Sequence, residues 1–235
     1  MNDSLVALID HAVLQPTQTA DDLRSACELC VRVGVASVCV KPCFVQLASE
    51  LLDGSSVVPS TVIGFPHGGT TTAAKVAETQ WACDDGAREV DMVINLGAAL
   101  AEDWKVVAAD ISAVVAEAKR HDVITKVILE TGLLPNDETK RELCRISEAE
   151  GAAFVKTSTG FGFKKAADGS LQATGATEHD IALMRATCSD AVQVKASGGI
   201  RSYDDAKRLF DLGATRLGTS GTEAIASGEA STTDY

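Results

Sequence analysis

Short apolar, β-branched runs alternate with longer segments of helical period from one end of the chain to the other. The runs fall at residues 37–40, 60–64, 89–95, 124–130, 153–157, 192–196 and 215–218. Continuous apolar runs of this length suit parallel strands covered on both faces. Amphipathic segments lie between them, at 20–33, 72–86, 105–120, 137–150, 177–187 and 202–212. Thr19, Thr177 and Ser202 each stand three residues before an aspartate (Asp22, Asp180, Asp205), a capping box with a shorter acid. Gly34, Gly86, Gly151 and Gly213 mark helix ends, where a left-handed residue is needed. Repeated strand–helix units predict a parallel sheet. Seven strands are clear and a short eighth is expected at 9–12, so the predicted fold is an α/β (β/α)8 TIM barrel. An open doubly wound sheet is the alternative, but no G-x-G-x-x-G follows the first strand. One domain is expected over 1–235, with 222–235 as a short C-terminal helix and tail.

The length of 235 residues is close to the ~250 typical of such barrels. A net charge of −12 argues against nucleic acid as the partner, since a phosphate backbone requires a basic face. A small phosphorylated molecule is still compatible, because a few N–H groups and one lysine make a local positive pocket. No apolar run approaches the ~20 residues of a membrane span, and the N-terminus lacks a basic signal start, so a cytoplasmic protein with no membrane contact is expected. Seven scattered cysteines do not form a secreted disulfide framework. A zinc site from Cys27, Cys30, Cys39 and Cys43 is disfavoured, because the first two lie in a helix-period segment and Cys39 in a strand.

Barrel chemistry collects at the C-terminal ends of the strands. Two lysines within apolar strands, Lys156 and Lys195, are the informative anomaly, since lysine is depleted in strands and rarely buried. They fall on consecutive strands at similar depth, and neighbouring strands lie ~4.8 Å apart. An amine attacks a carbonyl only when deprotonated, and a second cation with desolvation drives one lysine towards that state. Asp91 is a candidate proton shuttle, or an internal ion-pair partner of Lys126 or Lys195. The Gly/Ser turns Ser197-Gly198-Gly199 and Gly218-Thr219-Ser220-Gly221 follow the last two strands, where barrels often bind phosphate.

The segments Phe154-Val155-Lys156-Thr157-Ser158-Thr159-Gly160 and Val194-Lys195-Ala196-Ser197-Gly198-Gly199-Ile200-Arg201 resemble deoxyribose-phosphate aldolases, as do Glu89–Asn95 and Lys126–Thr131. Supporting matches lie at Val38–Pro42, Thr61–Pro66 and Ile9-Asp10-His11. The resemblance implies a barrel that reversibly cleaves 2-deoxy-D-ribose 5-phosphate to acetaldehyde and D-glyceraldehyde 3-phosphate, without metal or cofactor. It makes Lys156 the Schiff-base lysine, Lys195 the partner that lowers its pKa, and Asp91 the proton shuttle. It further implies substrate contacts at Asp10, Cys39, Thr157, Thr159, Gly160, Gly198, Gly199, Gly218 and Ser220, a proton-transfer role for Tyr235, and a homodimer. Cys39 is also implied as a point of aldehyde inactivation. Ala12, Gln15 and Gly221 depart from the family pattern at the substrate end. The stretch 163–174 is longer than in compact members and is read as a surface insertion or a lid. A Schiff-base aldolase with another substrate and a silent sugar-phosphate binder stay open as alternatives.

Overall fold

The computed structural model describes residues 3–166 and 168–228, so Tyr235 lies outside the described residues. The barrel strands are β1 (Ile9–Val13), β2 (Ser37–Val40), β3 (Val58–Ile63), β4 (Glu89–Val93), β5 (Ile124–Ile128), β6 (Phe154–Lys156), β9 (Gln193–Ser197) and β10 (Arg216–Thr219). They run parallel in the order β1-β10-β9-β6-β5-β4-β3-β2, and β1 pairs with both β2 and β10. That double pairing closes the sheet and excludes the open alternative.

The amphipathic segments form α2 (Ala20–Val33), α4 (Thr72–Asp84), α6 (Trp104–Lys119), α7 (Asp137–Ala149), α8 (Glu178–Thr187) and α9 (Tyr203–Asp211). Thr19 and Asp22 complete a reciprocal capping box, and Thr177 and Ser202 accept from the N–H groups of Asp180 and Asp205. The expected strand ends at 95 and 130 are too late. The chain leaves the sheet after Val93, where Asn95 caps α5 (Leu96–Leu100), and after Ile128, where Glu130 turns left-handed at φ 54°. A helix at α3 (Val45–Leu52) had no signal in the sequence, because its N-cap is Phe44, which makes no side-chain cap bond. The stretch expected as a loop at 163–174 holds an antiparallel hairpin, β7 (Phe163–Lys165) with β8 (Leu171–Ala173), whose strand residues are all exposed.

Strand residues alternate between the helices and the barrel interior. The outward set, including Val38, Val90, Val127, Val155, Val194 and Leu217, packs with helix residues such as Ile111, Leu143 and Ile181 in one apolar core. The inward set carries the charged residues Asp10, Glu89, Asp91, Lys126, Lys156, Lys195 and Arg216. At the barrel mouth a separate small cluster joins Ala12, Leu14, Cys39 and Val62 to Phe65 and Phe161, whose rings meet edge to face at 5.4 Å. Among the described residues, no helix is long and apolar enough to cross a membrane.

Candidate active site

Parallel register builds the site. It sets Lys156 beside Lys195, Asp91 beside Lys126, and Lys195 beside Arg216. Glu89 and Asp91, two apart on β4, share the inward face. Lys126, Lys156 and Lys195 are all at most 1% exposed.

Their ammonium groups converge on Asp91. Its Oδ2 accepts from Lys156 Nζ at 2.7 Å and from Lys195 Nζ at 2.8 Å, and its Oδ1 accepts from Lys126 Nζ at 2.8 Å. Lys126 Nζ also lies 2.6 Å from Glu89 Oε2 and 3.4 Å from Asp10 Oδ2, and Lys195 pairs with Asp10. Arg216 Nη1 donates to Asp10 Oδ1 at 2.7 Å and to Glu89 Oε2 at 2.9 Å. Ser37 Oγ donates to Asp10 Oδ1 at 2.6 Å. Asp10, expected at the substrate, thus has both oxygens engaged within the protein.

The same surroundings move the two central lysines in opposite directions. Burial is the largest influence on Lys156 and lowers its pKa; the Asp91 carboxylate opposes that, and Lys195 adds to the lowering. Burial also disfavours the charge on Lys195, but Asp10 and Asp91 outweigh it and raise its pKa. For Asp91, burial works against ionisation, yet Lys126, Lys156 and Lys195 hold its carboxyl well below the usual range. Cys39, buried at the mouth, has its thiol pKa raised by burial first and then by Asp91, which keeps it protonated. The arrangement therefore makes Lys156 the more easily deprotonated of the two amines, with a carboxylate oxygen touching both.

The rim is built from the loops that follow β6, β9 and β10. Thr157 Oγ1 accepts from the Ser197 N–H at 3.1 Å, which ties the loop after β6 to the end of β9. The Thr159 N–H donates to Glu130 Oε2 at 3.1 Å. Gly198, at φ 86°, sits where a Cβ would lie 3.0 Å from the Gly175 Cα and 3.6 Å from the Gly160 Cα, so the turns approach closely only because they lack side chains. A Cβ on Gly218 would lie 2.6 Å from Ser197 Oγ and 3.2 Å from Lys195 Cε, so this glycine leaves room for the lysine stem. Gly199 is exposed at the rim, and Ser220 lies half-buried just before α10 (Thr222–Ser227). Among the described residues, Glu130 Oε1, Thr131 Oγ1, Ser158 Oγ and Ser197 Oγ are buried without a hydrogen-bond partner. No cluster of metal-ligating side chains occurs among the described residues, and Cys27 and Cys30 lie buried on α2.

A profile of the DeoC/LacD family aldolases matches residues 4–226. The chain belongs to that family. A protein of Carboxydothermus hydrogenoformans named deoxyribose-phosphate aldolase is 46% identical over 233 residues, covering 98% of this chain and 97% of that one. One of the same name from Macrococcus caseolyticus is 46% identical over 232 residues, covering 99% and 100%. In structure, the tetrameric deoxyribose phosphate aldolase of Aeropyrum pernix matches with a TM-score of 0.86 at 30% identity, covering 96% of this chain and 90% of that one.

In this DeoC/LacD aldolase, sequence reasoning named Lys126 only as a possible ion-pair partner of Asp91, a contact the structure contains at 2.8 Å, and did not name Glu89, Arg216 and Glu130 as members of the site. The first three carried a usable signal. Glu89 is in phase with Asp91, Lys126 is its cross-strand neighbour, and Arg216 is that of Lys195. Glu130 had less, because its burial depends on a left-handed turn that no local motif announces.

Proposed function

We propose that this DeoC/LacD aldolase reversibly cleaves 2-deoxy-D-ribose 5-phosphate to acetaldehyde and D-glyceraldehyde 3-phosphate through a Schiff base on Lys156. The observation that carries this reading is the pair of buried lysines on one carboxylate oxygen, Lys156 with its pKa lowered and Lys195 with its pKa raised. A binder of sugar phosphates has no use for such a pair.

In the cleavage direction the neutral amine of Lys156 attacks C1 of the open-chain sugar. The carbonyl π pair moves to oxygen, and loss of water from the carbinolamine gives the imine. A base removes the C3 hydroxyl proton, the C3 carbonyl forms as the C2–C3 bond breaks, and that bond's electron pair becomes the C1=C2 bond of an enamine while the π pair of the protonated imine moves to nitrogen. Glyceraldehyde 3-phosphate leaves, C2 takes up a proton, and water releases acetaldehyde. Asp91 Oδ2, 2.7 Å from one amine and 2.8 Å from the other, is assigned the proton relay. Gly160, Gly198, Gly199, Gly218 and Ser220 are assigned to the phosphate, with Thr159 near the hydroxyls. The supporting feature is the close approach of the Gly198 backbone to Gly175 and Gly160 at the rim.

Borohydride reduction in the presence of acetaldehyde, followed by peptide mapping, tests the assignment. An adduct on Lys156 is expected, and a folded protein with no adduct would overturn it. Faster cleavage of phosphorylated than unphosphorylated deoxyribose is expected, and equal rates would remove the phosphate assignment. The same reading has the enzyme in the cytoplasm as a homodimer, a state that light scattering checks.

A further inference from the structure

The interior ion network contains one more cation than anion. Asp10, Glu89 and Asp91 face Lys126, Lys156, Lys195 and Arg216. The cations are held unequally. Lys126 reaches all three carboxylates, Lys195 reaches Asp10 and Asp91, and Arg216 reaches Asp10 and Glu89. Lys156 reaches Asp91 alone. A charge without a counter-ion is costly inside a protein, so the surplus proton leaves from the most weakly held member.

We propose that Lys126 is a positioning residue for Lys156: its fixed charge completes the balance against the three carboxylates and leaves Lys156 as the cation the barrel does not need. The inference rests on the reading of Lys156 as the Schiff-base lysine. Lys126 acts only through Asp91 and the charge balance. It occupies Asp91 Oδ1, which turns the other oxygen towards Lys156 and Lys195. Burial works against the charge on Lys126, but Asp10, Asp91 and Glu89 outweigh it and raise its pKa well above that of an ordinary lysine, so its charge is held.

Two further groups face Lys156 without joining its ion pairs. Cys39, on β2, keeps its proton because burial raises its thiol pKa. Glu130, beyond β5, forms no ion pair among the described residues and accepts the Thr159 N–H instead, and burial raises its carboxyl pKa.

Removing Lys126 leaves three carboxylates against Lys195 and Arg216, so Lys156 becomes the balancing cation and keeps its proton. The test measures the initial rate of acetaldehyde trapping by cyanoborohydride, from neutral to alkaline pH, for the whole protein. In K126M the rising limb of the profile should move up by about one to two pH units, with a loss of roughly ten- to a hundredfold at neutral pH that alkali restores. The charge-balanced K126M/E89Q should return towards the wild-type profile, which a merely structural defect would not do. E89Q alone, which keeps Lys126, should move the limb to lower pH and decides the matter if K126M fails to fold. A wild-type profile in K126M, or an unmoved one in E89Q, overturns the inference. Wild-type protein that traps nothing on Lys156 overturns the Schiff-base reading and this inference with it, a result distinct from trapping whose profile ignores the two variants.

Discussion

Among the described residues, buried lysines occur in two places, and they are built on different principles. Outside the barrel, between α4 and α6, Lys75 Nζ meets Asp110 Oδ2 at 2.5 Å and the Val93 carbonyl at 2.8 Å, while Thr72 donates to the other Asp110 oxygen at 2.8 Å. One cation faces one anion, and neighbouring polar groups take up the remaining capacity. Inside the barrel, four cations share three carboxylates, and Lys156 holds only one contact with them. The outer pair is a closed account. The inner set is left one proton over, and that excess is what chemistry requires. Burial alone does not make a lysine reactive.

The largest expected effect is at the centre of the inner set. Lys156→Leu should lower cleavage by at least about a thousandfold, on the scale of losing a covalent nucleophile, and should leave no borohydride-trapped peptide. Next comes the outer pair. Lys75→Met strands Asp110 and should cost about 3–5 kcal/mol of stability, read by urea denaturation, while the pH profile of trapping in the folded protein stays as in wild type. A shifted profile there would break the contrast between the two sets. Lys195→Leu should do the opposite. Without that cation the Lys156 ammonium is favoured, so trapping at neutral pH falls by roughly ten- to a hundredfold and recovers as pH rises. If the neutral-pH rate is unchanged, burial alone tunes Lys156. The smallest effect lies at the rim. Ser220→Asp should raise KM about tenfold for phosphorylated deoxyribose, by like-charge repulsion, with little change for the unphosphorylated sugar.

The barrel was legible because its strands are apolar on both faces of the alternation except at a few charged positions, and because Thr19, Thr177 and Ser202 announce their helices. Lys156 and Lys195 stood out as charges inside such strands. Glu89, Lys126 and Arg216 carry the same signal, but their meaning lies in a three-dimensional charge count that no linear motif expresses. The expectation that Lys195 lowers the Lys156 pKa holds in direction, with burial the larger cause. The α3 helix and the β7–β8 hairpin escaped notice for local reasons. One starts from an uncapped phenylalanine, and the other is a short polar ladder with no buried face to impose a period.

The ion network also makes the reactive amine a clock for folding. Its members come from β1, β4, β5, β6, β9 and β10, and the contact between Asp10 and Arg216 spans 206 residues of sequence. A chain that has laid down only its first strands lacks Lys195 and Arg216. It exposes its lysines to water, where they are ordinary ammonium groups that react only slowly with aldehydes near neutral pH. Fast imine formation requires the last strand to meet the first, so an aldehyde trap added during refolding should label Lys156 rapidly only after the sheet has closed.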